Sequence, residues 1–160
     1  MIRPFFGEAD MKKTDSKKVQ SNLLELATFY VSDALCGIDI LKIQEINKHT
    51  GVTAVPQAAE YVQGVLNLRG RIVTIIDLGI KLGLAPIKKN KDNRNIIVDS
   101  QDEQIGLLVD RISDVLIADA DKIEQAPANI GGVQGKYFEG VFKTDQSLIG
   151  ILDIEEVLKE

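Results

Sequence analysis

The stretch Tyr61–Leu78, YVQGVLNLRGRIVTIIDL, decides the fold of this chain. Two hydrophobic runs, 65–66 and 72–76, flank a polar group with two arginines, which predicts a β-hairpin with cationic side chains at or near its tip. The second run is hydrophobic on both faces and rich in β-branched residues, which suits a close-packed environment. We therefore predict that this strand lies inside its sheet and not at an edge.

The same pattern recurs 76 residues later in Tyr137–Ile154, YFEGVFKTDQSLIGILDI, where Tyr, Gly, Val and Asp return at matching positions. A second pair of blocks, Gly37–Ile46 and Gly106–Val115, is separated by 69 residues. Two copies are too few for a solenoid, so the pattern predicts two similar β-subdomains that share one core. The alternative is that these sparse identities reflect the general composition of strands.

Composition narrows the classes of function. The chain has 160 residues, of which 44% are hydrophobic and 27% charged, and these values are typical of a globular protein. A formal charge of −5 disfavours a general grip on nucleic acid, which requires a basic surface. No apolar run reaches the roughly 20 residues that span a bilayer. A single cysteine, Cys36, excludes an intrachain disulfide framework and agrees with a cytosolic location.

We predict a flexible N-terminal tail over residues 1–22, with Met11 as a plausible alternative start, and one folded domain over residues 23–158. Within that domain, 24–31 and 35–46 are expected to be two strands, the second with a β-bulge where its alternation changes phase. Residues 58–62 are expected to form one helical turn. The end of the chain, DIEEVLKE, is typical of a short C-terminal helix.

Residues that could perform chemistry are few. His49 has no second His or Cys beside it to complete a metal site, and Cys36 lies in a hydrophobic run that favours a core position. The spacing of the aspartates singles out no acid and base pair, although Asp77 and Asp153 keep a hydrolase open as the least favoured alternative. We therefore expect no enzyme activity, no metal and no cofactor.

Several short motifs carry a family resemblance. The chain contains QEI at 44–46, GVLNLRG at 64–70, IIDL at 75–78, IGLLVD at 105–110 and ILDI near its end. In this order the motifs resemble the CheW family of bacterial chemotaxis coupling proteins, over roughly residues 24–158. The resemblance implies two intertwined five-stranded SH3-like β-barrels, which agrees with the duplicated blocks.

The same resemblance implies a function and its partners. Proteins of this family are non-catalytic adaptors that couple transmembrane chemoreceptors to the histidine kinase CheA. The implied partners are the regulatory domain of CheA and the cytoplasmic tip of a chemoreceptor, which methyl-accepting chemotaxis proteins provide. Neither binding of nucleic acid nor direct insertion into the membrane is implied. The protein would be cytoplasmic and recruited to the inner face of the membrane through receptor arrays.

The resemblance also implies a set of coupling residues. Glu45 of QEI and Arg69 of NLRG are expected to form an ion pair that fixes the bulged strand against the hairpin; the alternative is a solvated Arg69. The full implied set for receptor and kinase coupling is Ile43, Glu45, Gly64, Asn67, Arg69 and Gly70. For Ile43 a core position, and for Gly64 a turn with positive φ, are strong alternatives. Local turn geometry explains Asn67 and Gly70 equally well.

Three positions depart from the usual pattern of the family: Ala59 and Thr74 replace prolines, and Gly79 replaces an arginine. At these positions the local backbone, and at Gly79 the surface, are therefore expected to differ from the family pattern. Two further alternatives remain beside the hydrolase. One is a CheW-like scaffold in another motility pathway, and the other is a small β-barrel that binds nucleic acid, which lacks the expected basic stripe with interleaved aromatic residues.

Overall fold

The computed structural model describes residues 22–159, so the predicted N-terminal tail lies almost wholly outside the described residues. The strands are β1 Leu23–Val31, β2 Ala34–Asp39, β3 Ile43–Lys48, β4 Val62–Leu68, β5 Arg71–Asp77, β6 Arg94–Ser100, β7 Glu103–Val109, β8 Arg111–Asp119, β9 Asn129–Ile130, β10 Val133–Gln134, β11 Phe138–Lys143 and β12 Leu148–Leu152. The α-helices are α1 Leu78–Lys81 and α2 Ile154–Leu158. Short 3-10 helices occupy Ile40–Lys42, Ala120–Lys122 and Gly135–Tyr137.

The strands form two five-stranded sheets with the orders β11-β12-β2-β1-β8 and β3-β6-β7-β5-β4, and a small hairpin of β9 and β10. The fold is thus mainly β, with two similar SH3-like subdomains and a short C-terminal helix, as predicted. We call the sheet of β1, β2, β8, β11 and β12 barrel 1, and the sheet of β3 to β7 barrel 2. Strand β5 lies between β7 and β4, so its predicted interior place in the sheet is confirmed.

The duplication is visible in the register of the strands. Each barrel contains one parallel pair: Ile75 of β5 lies opposite Gly106 of β7, and Ile151 of β12 lies opposite Gly37 of β2. These four positions are related by the two spacings of 76 and 69 residues that the sequence shows. The two hairpins also carry a register shift at equivalent places, between Val62 and Gly64 and between Phe138 and Gly140. The repeat is therefore structural and not a matter of general strand composition.

Both copies of the hairpin end in the same helix cap. The side chain of Asp77 accepts a hydrogen bond from the backbone N–H of Ile80 at the start of α1, and Asp153 does so from Glu156 at the start of α2. Such caps satisfy backbone donors that have no partner within the helix. A buried carboxylate, Asp77, also accepts from the backbone N–H of Ile87 at 3.1 Å. Both aspartates therefore have a structural role as helix caps.

The two barrels are interleaved because the chain changes barrel after β2 and again after β7. The predicted continuous strand 35–46 is wrong: the 3-10 helix Ile40–Lys42, capped by the side chain of Asp39, separates β2 from β3. The Asp39 carboxylate accepts from the backbone N–H of Leu41 at 3.0 Å, which favours a turn over continued pairing. As a result β2 pairs in barrel 1 and β3 pairs in barrel 2.

Three local expectations also need correction. Residues 58–62 contain a turn, closed by the backbone N–H of Val62 and the carbonyl of Ala59 (2.9 Å), and no helix. Gly79 is buried in α1, where a Cβ would lie 2.4 Å from the Ala85 carbonyl oxygen, so it is not part of the surface. Ile72 is 65% exposed although its strand was expected to be hydrophobic on both faces. Parallel pairing with β7 starts only at Thr74, so the first residues of β5 extend beyond that neighbour.

Candidate functional site

The β4–β5 hairpin ends in a tight two-residue turn at Arg69 and Gly70. Leu68 and Arg71 are the last paired residues, and the turn residues have φ of +52° and +82°. Positive φ at both central positions is typical of a type I′ turn, whose twist matches that of the strands, and glycine adopts it without strain. The Asn67 side-chain oxygen accepts a hydrogen bond from the Gly70 N–H at 3.0 Å. Asn67 and Gly70 therefore hold the backbone that presents Arg69.

Glu45 reaches this turn from β3. Opposite β6, Ile43 pairs with Val98 and Glu45 with Ile97, so Gln44 is the extra residue of a β-bulge. The Gln44 side chain donates to the Asp99 carboxylate at 2.7 Å and fixes the bulge. A bulge changes the direction of the side chains that follow it. The sequence predicted a bulge at the change of phase between Ile40 and Leu41, but a 3-10 helix occupies that position, and the bulge lies at Gln44, directly before Glu45.

The predicted ion pair between Glu45 and Arg69 is present. The Arg69 Nη1 group donates to Glu45 Oε2, and Nη2 lies 3.4 Å from Oε1. Asn47 Nδ2 also donates to Oε1 at 3.3 Å. The Arg69 side chain is 73% exposed and that of Glu45 25%, so the pair contributes little to stability. Its main effect is to join β3 to the hairpin in a forked, directional contact.

Each side chain of the pair stabilises the charged form of the other. The hydrogen bond from Arg69 lowers the pKa of Glu45 below its usual value, against a smaller opposing effect of desolvation, with further lowering from the Asn47 hydrogen bond and the Arg69 charge. The hydrogen bond and charge of Glu45 raise the pKa of Arg69. Both groups are therefore charged at neutral pH, and the ion pair is fully formed there.

Gly64 lies apart from this pair and has a backbone role. Its φ is +150°, and a Cβ there would lie 2.3 Å from the Thr53 carbonyl oxygen. Thr53 forms an antiparallel bridge with Val65, with N···O distances of 2.9 and 2.8 Å, and so covers the edge of β4. Gly140 of the second copy is similar, because a Cβ added there would lie 2.8 Å from the Glu124 carbonyl oxygen. The glycine thus allows a loop to approach the strand closely; its φ is positive, as the alternative interpretation expected, but it lies within β4 and not in a turn.

Ile43 is half-buried and packs against the main hydrophobic core. The structure therefore joins Glu45, Asn67, Arg69 and Gly70 into one cluster and gives Ile43 and Gly64 packing or backbone roles. Sequence reasoning missed Ile72, which lies opposite Asn67 in the hairpin and presents an exposed apolar side chain beside the turn. We call residues 67–72 together with Glu45 the hairpin tip. A single exposed isoleucine is ordinary on a protein surface, so the fixed ion pair is the feature that distinguishes the hairpin tip.

A groove between the barrels lies near the start of β3. It has a volume of about 420 Å³ and receives residues from β3, β6, β11 and the start of α2. Leu41 at its rim is 86% exposed, whereas Lys42 forms a salt bridge of 3.2 Å with Glu139 of barrel 1. Its lining is Leu41, Lys42, Gln44, Val98, Asp99, Glu139, Asp153, Ile154 and Glu155. The groove is more charged than the hydrophobic groove that a helical partner favours.

The side chains that most often bind metal ions form no cluster within residues 22–159. No group of three or more His, Cys, Asp and Glu side chains there could hold a metal ion. His49 bonds through Nδ1 to the Asn95 side chain at 2.9 Å, and Cys36 is fully buried, which raises the pKa of its thiol to about 12. The helices in this part of the chain are too short to cross a bilayer.

Two interleaved five-stranded barrels with a charged hairpin tip define a duplicated β-barrel protein whose candidate site is an interaction surface. Residues 25–160 match the family model of the CheW-like domain, and the chain belongs to that family. It is 34% identical over 154 residues to the chemotaxis protein CheW of Helicobacter pylori, which covers 96% of this chain and 90% of that protein. The CheW protein of Klebsiella aerogenes is 33% identical over 134 residues, 84% of this chain and 81% of the relative.

A solved structure supports the same assignment. The scaffolding protein TtCheW of Thermoanaerobacter tengcongensis superposes with a TM-score of 0.79 and 31% sequence identity. The match covers 86% of this chain and 88% of that one. The fold, the family and a scaffold role in chemotaxis therefore agree.

Proposed function

We propose that this protein is a non-catalytic adaptor that couples a chemoreceptor to the histidine kinase CheA. The carrying observation is the Glu45–Arg69 pair, which fixes an exposed hairpin tip on the scaffold of the CheW-like family. One surface would bind the cytoplasmic tip of the receptor, and another the regulatory domain of the kinase. The protein would act in the cytoplasm, held at the inner face of the membrane by receptor arrays.

The hairpin tip suits the kinase side of this role. An apolar side chain, Ile72, is exposed beside an arginine whose direction is set by a partner carboxylate. Arginine is among the residue types that most often provide much of the binding energy near the centre of an interface. An adaptor that holds two partners together raises their effective concentration without any chemistry of its own.

Isothermal titration calorimetry tests the proposal with the full chain and, separately, a CheA regulatory domain and a receptor signalling fragment. We expect the wild type to bind both, and Arg69→Ala to lose binding to the regulatory domain. Lys159→Ala is the matched control, because Lys159 also forms an exposed ion pair, with Glu156 at 2.9 Å, but lies directly after α2 and away from the hairpin tip. A folded wild type that binds neither partner would overturn the proposal and leave the fold unaffected.

A further inference from the structure

The loop between α1 and β6 has a well-defined conformation although it is highly charged. Asn93 is 4% exposed, and its amide nitrogen donates to the Asp110 carbonyl at 3.1 Å. Its side-chain oxygen accepts from the backbone N–H of Asn90 at 3.0 Å, and the Asn90 side-chain oxygen accepts from the N–H of Asp92 at 2.8 Å. Hydrogen bonds of this kind stabilise turns. The loop therefore presents its lysines from a preorganised backbone.

Other cations gather at the same end of barrel 2. Arg94 begins β6 and lies opposite Lys48 at the end of β3 and opposite Val109 at the end of β7. Arg111 begins β8, two residues after Val109, and its guanidinium carbon lies 3.9 Å from the centre of the Tyr30 ring. The basic end, as we call this surface, consists of Lys48, Lys88, Lys89, Lys91, Arg94 and Arg111. It contains six of the 19 lysines and arginines of a chain whose net charge is −5.

The cations of the basic end repel one another and form no direct ion pair among the described residues. Lys48 and Arg94 are like charges directly opposite on neighbouring strands, an arrangement that costs stability. The Arg94 guanidinium donates to backbone carbonyls of the loop, at 3.0 and 2.8 Å, and not to a carboxylate. Within residues 22–159, no ion pair joins any of the six cations to an acidic side chain. An anion that binds at this surface would reduce the repulsion between the cations.

We propose that the basic end is a docking site for an acidic peptide segment of a partner protein. The acidic residues nearby include Asp33, Asp92, Asp110 and the buried Asp77; Asp110 accepts from the Ser32 N–H at 2.6 Å, and Asp77 accepts from the Ile87 N–H at 3.1 Å. Interactions between exposed charges are largely screened beyond about 8 Å at physiological ionic strength, so a short acidic segment bound here interacts mainly with the charges of this end. A membrane or a long nucleic acid would also meet the acidic remainder of the surface, which disfavours both.

This surface is distinct from the hairpin tip. Strand β5 starts at the Arg69 turn and runs parallel to β7, whereas Arg94 pairs with the last residue of β7. The Arg69 turn and Arg94 therefore lie at opposite ends of the β5–β7 pair, whereas β3 carries Glu45 of the hairpin tip and, three residues later, Lys48 of the basic end. The inference is independent of the proposed function, because it needs neither the receptor nor the kinase.

Fluorescence anisotropy with a fluorescein-labelled decamer of glutamate tests the proposal on the full chain. The variant Lys88→Gln/Lys89→Gln/Lys91→Gln removes three cations from the basic end. The matched control, Lys122→Gln/Lys136→Gln/Lys143→Gln, removes three exposed lysines elsewhere and leaves the same net charge. We expect the first variant to bind the peptide at least about tenfold more weakly than the wild type, and the control to bind within about twofold of it. Raising the salt from about 50 to about 200 mM should weaken wild-type binding.

Three results would overturn the proposal. The first is equal weakening in both variants, which would show a response to net charge alone. The second is no binding of the peptide at low salt, or equal binding of a glutamine decamer. The third is tighter binding to phosphatidylglycerol vesicles or to single-stranded DNA than to the peptide, which would assign the surface to lipid or nucleic acid. Circular dichroism of each variant confirms that its fold is retained.

Discussion

Arg69 and Glu45 join two strands that are not hydrogen-bonded neighbours in barrel 2, since β3 and β4 occupy opposite edges of its sheet. The pair thus connects the two edges of the sheet at the hairpin tip. Because both side chains are partly or largely solvated, the contact shapes a surface more than it stabilises the fold.

A charge-reversal cycle tests this shaping role. Glu45→Arg and Arg69→Glu each place like charges together, so each should displace the turn and weaken binding of the CheA regulatory domain. The double variant restores the attraction and should recover part of the binding. Calorimetric titration of all four proteins measures this coupling. If the double variant binds no better than the weaker single variant, Arg69 acts through its own contact with the partner and not through the pair.

The pair also predicts a dependence on pH. The pKa of Glu45 is lowered in the folded state, so the stabilisation from this group is present above the unfolded pKa. That contribution should be lost as the pH falls through the lowered folded pKa. NMR titration of the Glu45 side chain should show a higher pKa in Arg69→Ala than in the wild type. An unchanged pKa would show that Arg69 does not contact Glu45 in solution.

Gly64 and Gly70 should respond differently to alanine. At Gly64 the new Cβ would meet the Thr53 carbonyl oxygen at 2.3 Å, and the backbone must shift. We expect Gly64→Ala to lower the free energy of unfolding by about 1–3 kcal/mol, measured by urea denaturation. Gly70→Ala meets nothing within 4 Å and adds only the strain of φ +82°, about 1 kcal/mol. A larger loss at Gly70 than at Gly64 would contradict the backbone role assigned to Gly64.

Cys36 should be unreactive in the native protein. Its side chain is fully buried, and burial raises the pKa of the thiol to about 12, so almost no thiolate forms at pH 8. A disulfide reagent should label Cys36 only after denaturation, at a rate that follows unfolding. Rapid labelling under native conditions would show that β2 opens readily.

Much of this structure could be predicted from local patterns. The repeated hairpin, each copy ending in an aspartate, indicated two similar barrels. In each copy this aspartate, Asp77 or Asp153, caps a short helix after a buried strand, and capping is a local interaction. The change of phase after Ile40 was visible in the sequence, but it marks the 3-10 helix and not the bulge at Gln44. The crossing of the chain from barrel 1 to barrel 2 after Asp39 could not be predicted, because a 3-10 helix and a bulged strand have similar hydrophobic patterns. Exposure of Ile72 depends on where pairing with β7 starts, and sequence periodicity does not report that register.

The most direct test of the account is reconstitution of full-length CheA, a receptor signalling fragment and this protein, with kinase autophosphorylation as the readout. The account predicts that the wild-type protein makes kinase activity depend on the receptor, that Arg69→Ala does so far less, and that Lys159→Ala resembles the wild type. Receptor control that is equally strong with folded Arg69→Ala would contradict the claim that the hairpin tip performs the coupling.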